Sequence, residues 1–190
     1  VEEIYYPVTQ KQGYFIDGKF DQFQRHIPYY ALIQAFQSFS TQLLSQSPAL
    51  LAQWKAKILG AVGSLGKVLT DAIPTLELII GTQPNVPTLH GIEAQNRFAY
   101  LFRSFINAIS QAKHPLVIFI DDLQWADAAS LKMLQMLMMS TSHQYLLVMG
   151  AYRDNEVTGT HPLMSTIRAI EQQQVMVQTI TLQNLSLSHV

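Results

Sequence analysis

Leu116-Val117-Ile118-Phe119-Ile120-Asp121-Asp122-Leu123-Gln124-Trp125-Ala126-Asp127 is the stretch that decides the fold. Five apolar residues in a row, three of them β-branched, form a run without alternation, the pattern of a strand buried on both faces of a parallel sheet. Two carboxylates stand where the run ends, and open α/β sheets gather their ligands at the carboxyl ends of strands. A hard cation such as Mg²⁺ takes one or two carboxylates and completes its shell with water and phosphate oxygens. Asp121 is therefore the metal-side candidate. Asp122 is the water-side candidate, because a second acid within hydrogen-bond reach can orient or deprotonate an attacking water. A strand can also end in acids simply because it reaches solvent, but the full string with its Gln-Trp and third Asp argues against that reading. Asp127 precedes Ala128-Ala129-Ser130-Leu131 and reads as a helix N-cap. Trp125 reads as a packing anchor rather than a platform for a base.

Downstream of this stretch, a helix is expected over 128–139, with Met133, Met136, Met138 and Met139 filling core. A second buried run covers 145–152, a helix covers 162–172 and a further strand covers 175–182. Arg153 follows the second run in Gly150-Ala151-Tyr152-Arg153-Asp154. An arginine at the carboxyl end of a neighbouring strand faces the same crevice, and its planar fork suits a phosphate, which makes it a γ-phosphate reader. Pairing with Asp154 or Glu156 at the surface is the competing role.

Upstream, residues 91–112 place apolar side chains at helical spacing and end near His114-Pro115. Residues 1–6 read as the tail of a helix stopped by Pro7, and 13–20 as a short strand between glycines. Pro28 suits the first turn of a helix carrying Leu32, Ile33, Phe36, Phe39, Leu43 and Leu44. A second helix is expected from 48 to about 59. Glycines 60, 63 and 66 break that pattern, 76–80 is a short apolar run, and 81–87 is a turn-rich connection. Strands alternating with helices of these lengths predict an α/β domain with a mostly parallel sheet.

Composition sets the outer limits. The 190 residues carry 48% hydrophobic and 13% charged residues with a formal net charge of -1. That is too apolar for a disordered chain and too balanced in sign for a protein that neutralises a nucleic-acid backbone. With no cysteine, disulfides, thiolate metal sites and thiol chemistry are excluded. No run approaches the roughly 18 apolar residues of a spanning helix, and Val1-Glu2-Glu3-Ile4-Tyr5-Tyr6 is unlike a signal peptide, so a soluble, cytoplasmic protein without membrane contact is expected. Both the start at Val1 and the end at Leu187-Ser188-His189-Val190 read as cuts through a longer polypeptide.

Three other chemistries find little support. Gly60-Ala61-Val62-Gly63-Ser64-Leu65-Gly66-Lys67-Val68 resembles a phosphate-binding loop, but GxxxxGK[ST] requires Gly where Ala61 stands and a hydroxyl where Val68 stands. Lys67 is therefore read as a solvated lysine between helices, and no other stretch fits the pattern. The histidines at 26, 90, 114, 143, 161 and 189 lack ligand spacing. No G-x-S-x-G elbow is present.

With these residues in view, the chain resembles the STAND class of P-loop NTPases, signal-transduction ATPases with numerous domains. It is most similar to the AAA-type ATPase region of large bacterial, notably cyanobacterial, proteins that join a serine/threonine kinase to a sensor histidine kinase. The resemblance rests on Gly13-Tyr14-Phe15-Ile16-Asp17-Gly18-Lys19-Phe20-Asp21-Gln22 with Ile27-Pro28-Tyr29, on Gln95-Asn96-Arg97-Phe98, on the Walker B string 116–127, and on Gly150-Ala151-Tyr152-Arg153-Asp154. It implies a P-loop NTPase sheet with flanking helices, truncated at its N-terminus. Residues 1–12 would end the helix after Walker A, 13–112 would form the second strand and a helical insertion, and 113–190 would run from Walker B to the last strand. The Walker A loop and the central strand leading into it would precede Val1, so 1–190 alone would neither bind ATP tightly nor hydrolyse it and would be poorly stable.

For the parent protein the resemblance implies ATP and Mg²⁺ as ligands. Asp121 would hold the metal, Asp122 would act on water and Arg153 would sense the γ-phosphate. Family members often carry Glu where Asp122 stands, and the shorter side chain argues for slow hydrolysis and a conformational switch. The expected partners are kinase and sensor modules of the same polypeptide, with self-association a further expectation. The alternative is a nucleotide-free scaffold with a vestigial Walker B, the kinase chemistry residing in other domains.

Overall fold

A computed structural model describes residues 2–140 and 144–182. Val1, His143, His189 and the closing residues 187–190 lie outside the described residues.

The chain opens with α1 (Glu2–Gln10), β1 (Tyr14–Lys19), α2 (Tyr30–Leu44) and α3 (Pro48–Val62). Two short helices follow, α4 (Gly66–Ala72) and α5 (Glu77–Ile80), each entered through a 3-10 turn. The long α6 (Gly91–Ile109) leads into β2 (Leu116–Asp121), α7 (Ala128–Met138), β3 (Leu146–Gly150) and α8 (Pro162–Gln172). The sheet has the order β1-β2-β3, all parallel. This is the α/β class expected from the alternation of strands and helices.

Register decides which face of the sheet is thick. Tyr14 and Ile16 pair with Leu116 and Ile118, which pair in turn with Leu146 and Val148, so these side chains share one face. That face carries the main core, closed by Phe36 and Phe39 of α2, Trp54 and Ile58 of α3, Phe102 and Phe105 of α6, and Leu134 and Leu137 of α7. The aromatics meet edge to face, with Phe36 and Phe102 4.8 Å apart and Tyr14 and Phe39 5.0 Å apart. Gly18 fits under this layer because it has no Cβ, which would run into the Ala31 carbonyl of α2.

Several expectations need correction. Pro7 does not stop α1: only its own bond to the Glu3 carbonyl is forfeited, and the helix closes with Lys11 and Gly13 donating to the Val8 carbonyl at 3.1 and 2.9 Å. Pro28 lies before α2 rather than in its first turn, since Tyr29 is held left-handed (φ 64°) with its N–H on Asp127 Oδ2 and Ser130 Oγ. Of the glycines at 60, 63 and 66, Gly60 lies within α3 and Gly63 (φ 54°, ψ -136°) ends it, while Lys67 belongs to α4 rather than to a connection and pairs with Asp71 at 2.7 Å. The run 145–152 is not buried on both faces: Leu147 is 53% exposed on the thin side of the sheet. Residues 175–182 form no strand, and Met176, Ile180 and Leu182 are more than four-fifths exposed. Their β-prone composition finds no ladder partner among the described residues.

Candidate functional site

The parallel ladder sets Lys19, the last residue of β1, opposite Asp121, the last residue of β2. The chain leaves β2 through Asp122, whose backbone is left-handed (φ 52°, ψ 45°). Aspartate tolerates that conformation because its neighbourhood supplies local hydrogen bonds. Here the Asp122 N–H donates to Asp121 Oδ1 at 2.8 Å. β3 is tied to the same turn: Ala151 N–H donates to the Ile120 carbonyl and Leu123 N–H to the Ala151 carbonyl, both at 2.9 Å. Gly150 lacks a Cβ where the Leu123 side chain packs.

Three cationic or donor groups converge on the carboxylates. Lys19 Nζ lies 3.2 Å from Asp121 Oδ2 and 3.0 Å from Asp122 Oδ2. Gln124, 3% exposed, donates from Nε2 to Asp122 Oδ1 at 2.8 Å and accepts the Arg153 N–H on Oε1 at 3.3 Å. Arg153 Nε stands 3.7 Å from Asp122 Oδ1 while its NH1 bonds Glu156 Oε1 at 3.1 Å. The Lys19 hydrogen bond is the chief cause holding the Asp122 carboxyl below its ordinary value; desolvation opposes it, and Gln124 and Arg153 add to it. The same pairing pushes the Lys19 ammonium up.

The structure thus brings Asp122 and Arg153 to one crevice of about 350 Å³, walled also by Lys19, Phe23 and Trp125, and Asp121 joins them through its pairing with Lys19. Arg153 takes up the competing surface pairing, with Glu156, and its Nε also faces Asp122. Asp127 caps α7, its Oδ1 accepting the Ser130 N–H at 2.9 Å, as its position predicts. Trp125 does more than pack: its half-buried ring lines the crevice under the Arg25 guanidinium, 4.6 Å from the centroid.

Lys19 and the bridging role of Gln124 are not assigned by sequence reasoning. The signal for Lys19 is the parallel pairing itself, which puts the last residues of two short strands side by side. Among the described residues no group of three or more His, Asp or Glu side chains is gathered for a metal. Two hard carboxylates fit a Mg²⁺ that arrives with phosphate oxygens and water rather than one caged by protein alone.

The sequence profile of the AAA ATPase domain matches residues 1–149. The chain belongs to the AAA ATPase domain family. The match takes in β1, β2 and most of β3, with Lys19, Asp121 and Asp122 inside it and Arg153 just beyond it. A curated relative, the "Hybrid signal transduction histidine kinase G" of Dictyostelium discoideum, is 42% identical over 126 residues. The aligned part is 66% of this chain but 4% of that relative, so the chain spans a small fraction of its length. No solved structure matches the chain. Among the described residues no helix is long and apolar enough to cross a membrane.

Proposed function

We propose that this AAA ATPase domain is an ATP–Mg²⁺-dependent conformational switch of the STAND type within a larger signalling kinase. Asp121 and Asp122 are its Walker B acids. The observation that carries this reading is the convergence of Asp122 and Arg153, contributed by two neighbouring strands, at the carboxyl end of a parallel sheet. When bound, Mg²⁺ would supply charge neutralisation for the phosphates.

Each side chain then has a distinct task. Asp121 would hold the metal, and its Oδ1 holds the Asp122 N–H and fixes the turn. Asp122, kept ionised by its donors, is available to accept a proton from a water or to orient it. The Arg153 side chain pairs with Glu156 and Asp122 and is 60% exposed, so its fork can transfer to a γ-phosphate. That transfer would shift Gln124, whose carbonyl oxygen holds the Arg153 backbone, and so report the nucleotide to the Asp122 turn. The short reach of Asp122 supports slow turnover. Cytoplasmic kinase and sensor modules of the same polypeptide are the proposed recipients of the signal, in keeping with the hybrid kinase relative.

A nucleotide-free scaffold is the second reading, favoured by the Lys19 ammonium that already bridges both acids. Nucleotide titration of the full-length protein decides between them. The switch requires that Asp121→Asn and Arg153→Ala each weaken ATP–Mg²⁺ binding or turnover. Unchanged affinity and turnover in both variants would favour the scaffold.

A further inference from the structure

The geometry points to Lys19 as a resident counter-cation of the Asp121–Asp122 pair, one that must be displaced before a divalent cation can enter. The inference rests on the reading above that Asp121 takes the metal. Lys19 Nζ is within 3.2 Å of one oxygen from each carboxylate, so the ammonium straddles the position from which a cation would contact both. Two cations cannot share that position, since like charges at contact distance repel strongly even near a protein surface. The carboxylates need such a partner when no metal is present: Asp122 is only 14% exposed in its side chain and sits beside a second acid.

The lysine is built to leave. Its backbone is fixed by the ladder, with Lys19 opposite Asp121 and the Phe20 N–H on the Asp121 carbonyl at 3.1 Å. Its side chain, by contrast, is 64% exposed, so the long flexible stem can swing into the crevice without disturbing the sheet. Asp122 is not stranded when that happens, because Gln124 keeps its 2.8 Å bond to Oδ1. The consequence is a threshold. The acids are closed to free divalent metal and open only when a phosphate-bearing ligand brings both the metal and a new acceptor for the ammonium.

Mn²⁺, followed by its paramagnetic resonance signal, is the probe. Without nucleotide, Lys19→Met should bind Mn²⁺ about tenfold more tightly than wild type or more, the scale expected for removing one adjacent like charge. Lys19→Arg, which keeps the charge, should remain as weak as wild type, a contrast that a merely structural role would not produce. Adding Asp121→Asn to Lys19→Met should abolish the gain. If that double variant keeps the gain, Asp121 is not the ligand and both the site reading and the inference fall. If Asp121→Asn weakens Mn²⁺ binding in the presence of ATP while Lys19→Met equals wild type in its absence, the site reading stands and the counter-cation inference is overturned. Should Lys19→Met not fold, acylation of Lys19 in the wild-type protein gives the same decision. Mn²⁺ alone, at a concentration high enough to fill the weak wild-type site, should speed labelling of that one amine, and an unchanged rate overturns the proposal.

Discussion

Gln124 Nε2 donates to Asp122 Oδ1 at 2.8 Å, and through its other side-chain atom the same buried amide holds the backbone of the neighbouring strand's exit. The glutamine is a strut between two of the groups that the sequence nominates for chemistry. Gln124→Ala removes both bonds at once and leaves the Arg153 N–H and one carboxylate oxygen short of a partner. A loss of about 1–3 kcal/mol follows from the cost of unsatisfied polar groups. Urea unfolding measures it. Gln124→Glu, of similar size, should also destabilise, because a second carboxylate then faces Asp122.

Asp127 and Asp121 should separate cleanly in experiment although both are acids of one motif. Asp127 accepts the Ser130 N–H at the start of α7 and also receives the Tyr29 N–H, at 3.3 Å, from the turn before α2. Asp127→Ala should cost about 1–2 kcal/mol of stability, the range of a lost N-cap. Asp121→Asn keeps an oxygen for the Asp122 N–H and should leave the melting temperature within a degree or two of wild type, by the usual size of surface substitutions. Nucleotide affinity should show the reverse order. A large stability loss in Asp121→Asn with none in Asp127→Ala would contradict the assignment of roles.

What was legible in the sequence depended on how local the cause was. The run 116–120, the Asp127 cap and the spacing of Phe98, Leu101, Phe102 and Phe105 are local patterns, and β2, α7 and α6 form where those patterns place them. Tyr29 could not be read that way. Its left-handed backbone is held by Asp127 and Ser130, about a hundred positions away, and that contact shifts the start of α2 past Pro28. The segment 175–182 fails for the complementary reason: strand propensity is a preference for a half-buried pleated surface, and without a neighbour there is nothing to pleat against. Lys19 has ordinary strand-end chemistry on its own, and only the register with Asp121 turns it into part of the site.

Gly18 ties the core to the site more tightly than its composition suggests. A side-chain carbon there would collide with the Ala31 carbonyl and backbone, neither of which is a flexible atom that can move aside. Gly18→Ala should therefore push α2 off β1 and cost about 1–3 kcal/mol, as overpacking does. The adjacent Lys19 would move with the strand, so Lys19 labelling should rise in this variant even without metal. A variant of wild-type stability would mean that α2 can slide, contrary to the packing of Phe36 and Phe39 in the core.

The Lys19–Asp122 pair should also appear in the pH dependence of stability, and only on the acid side of neutrality. Asp122 titrates below its ordinary value of 3.8 in the folded protein, chiefly through the Lys19 hydrogen bond. A carboxyl with a depressed folded-state value contributes stability that is fully present above the unfolded value and fades as pH falls through the folded one. The contribution should be flat from about pH 5 to 8 and decline below about pH 4. Because Lys19 is solvent-exposed, it should shrink further in high salt. Asp122→Asn is the suitable reference, since asparagine also accepts the left-handed backbone and keeps an oxygen for Gln124. Urea midpoints of the two proteins should differ at pH 7 and converge as pH falls below 4. A gap that stays constant from pH 7 to 3 would show that the pairing does not stabilise the fold.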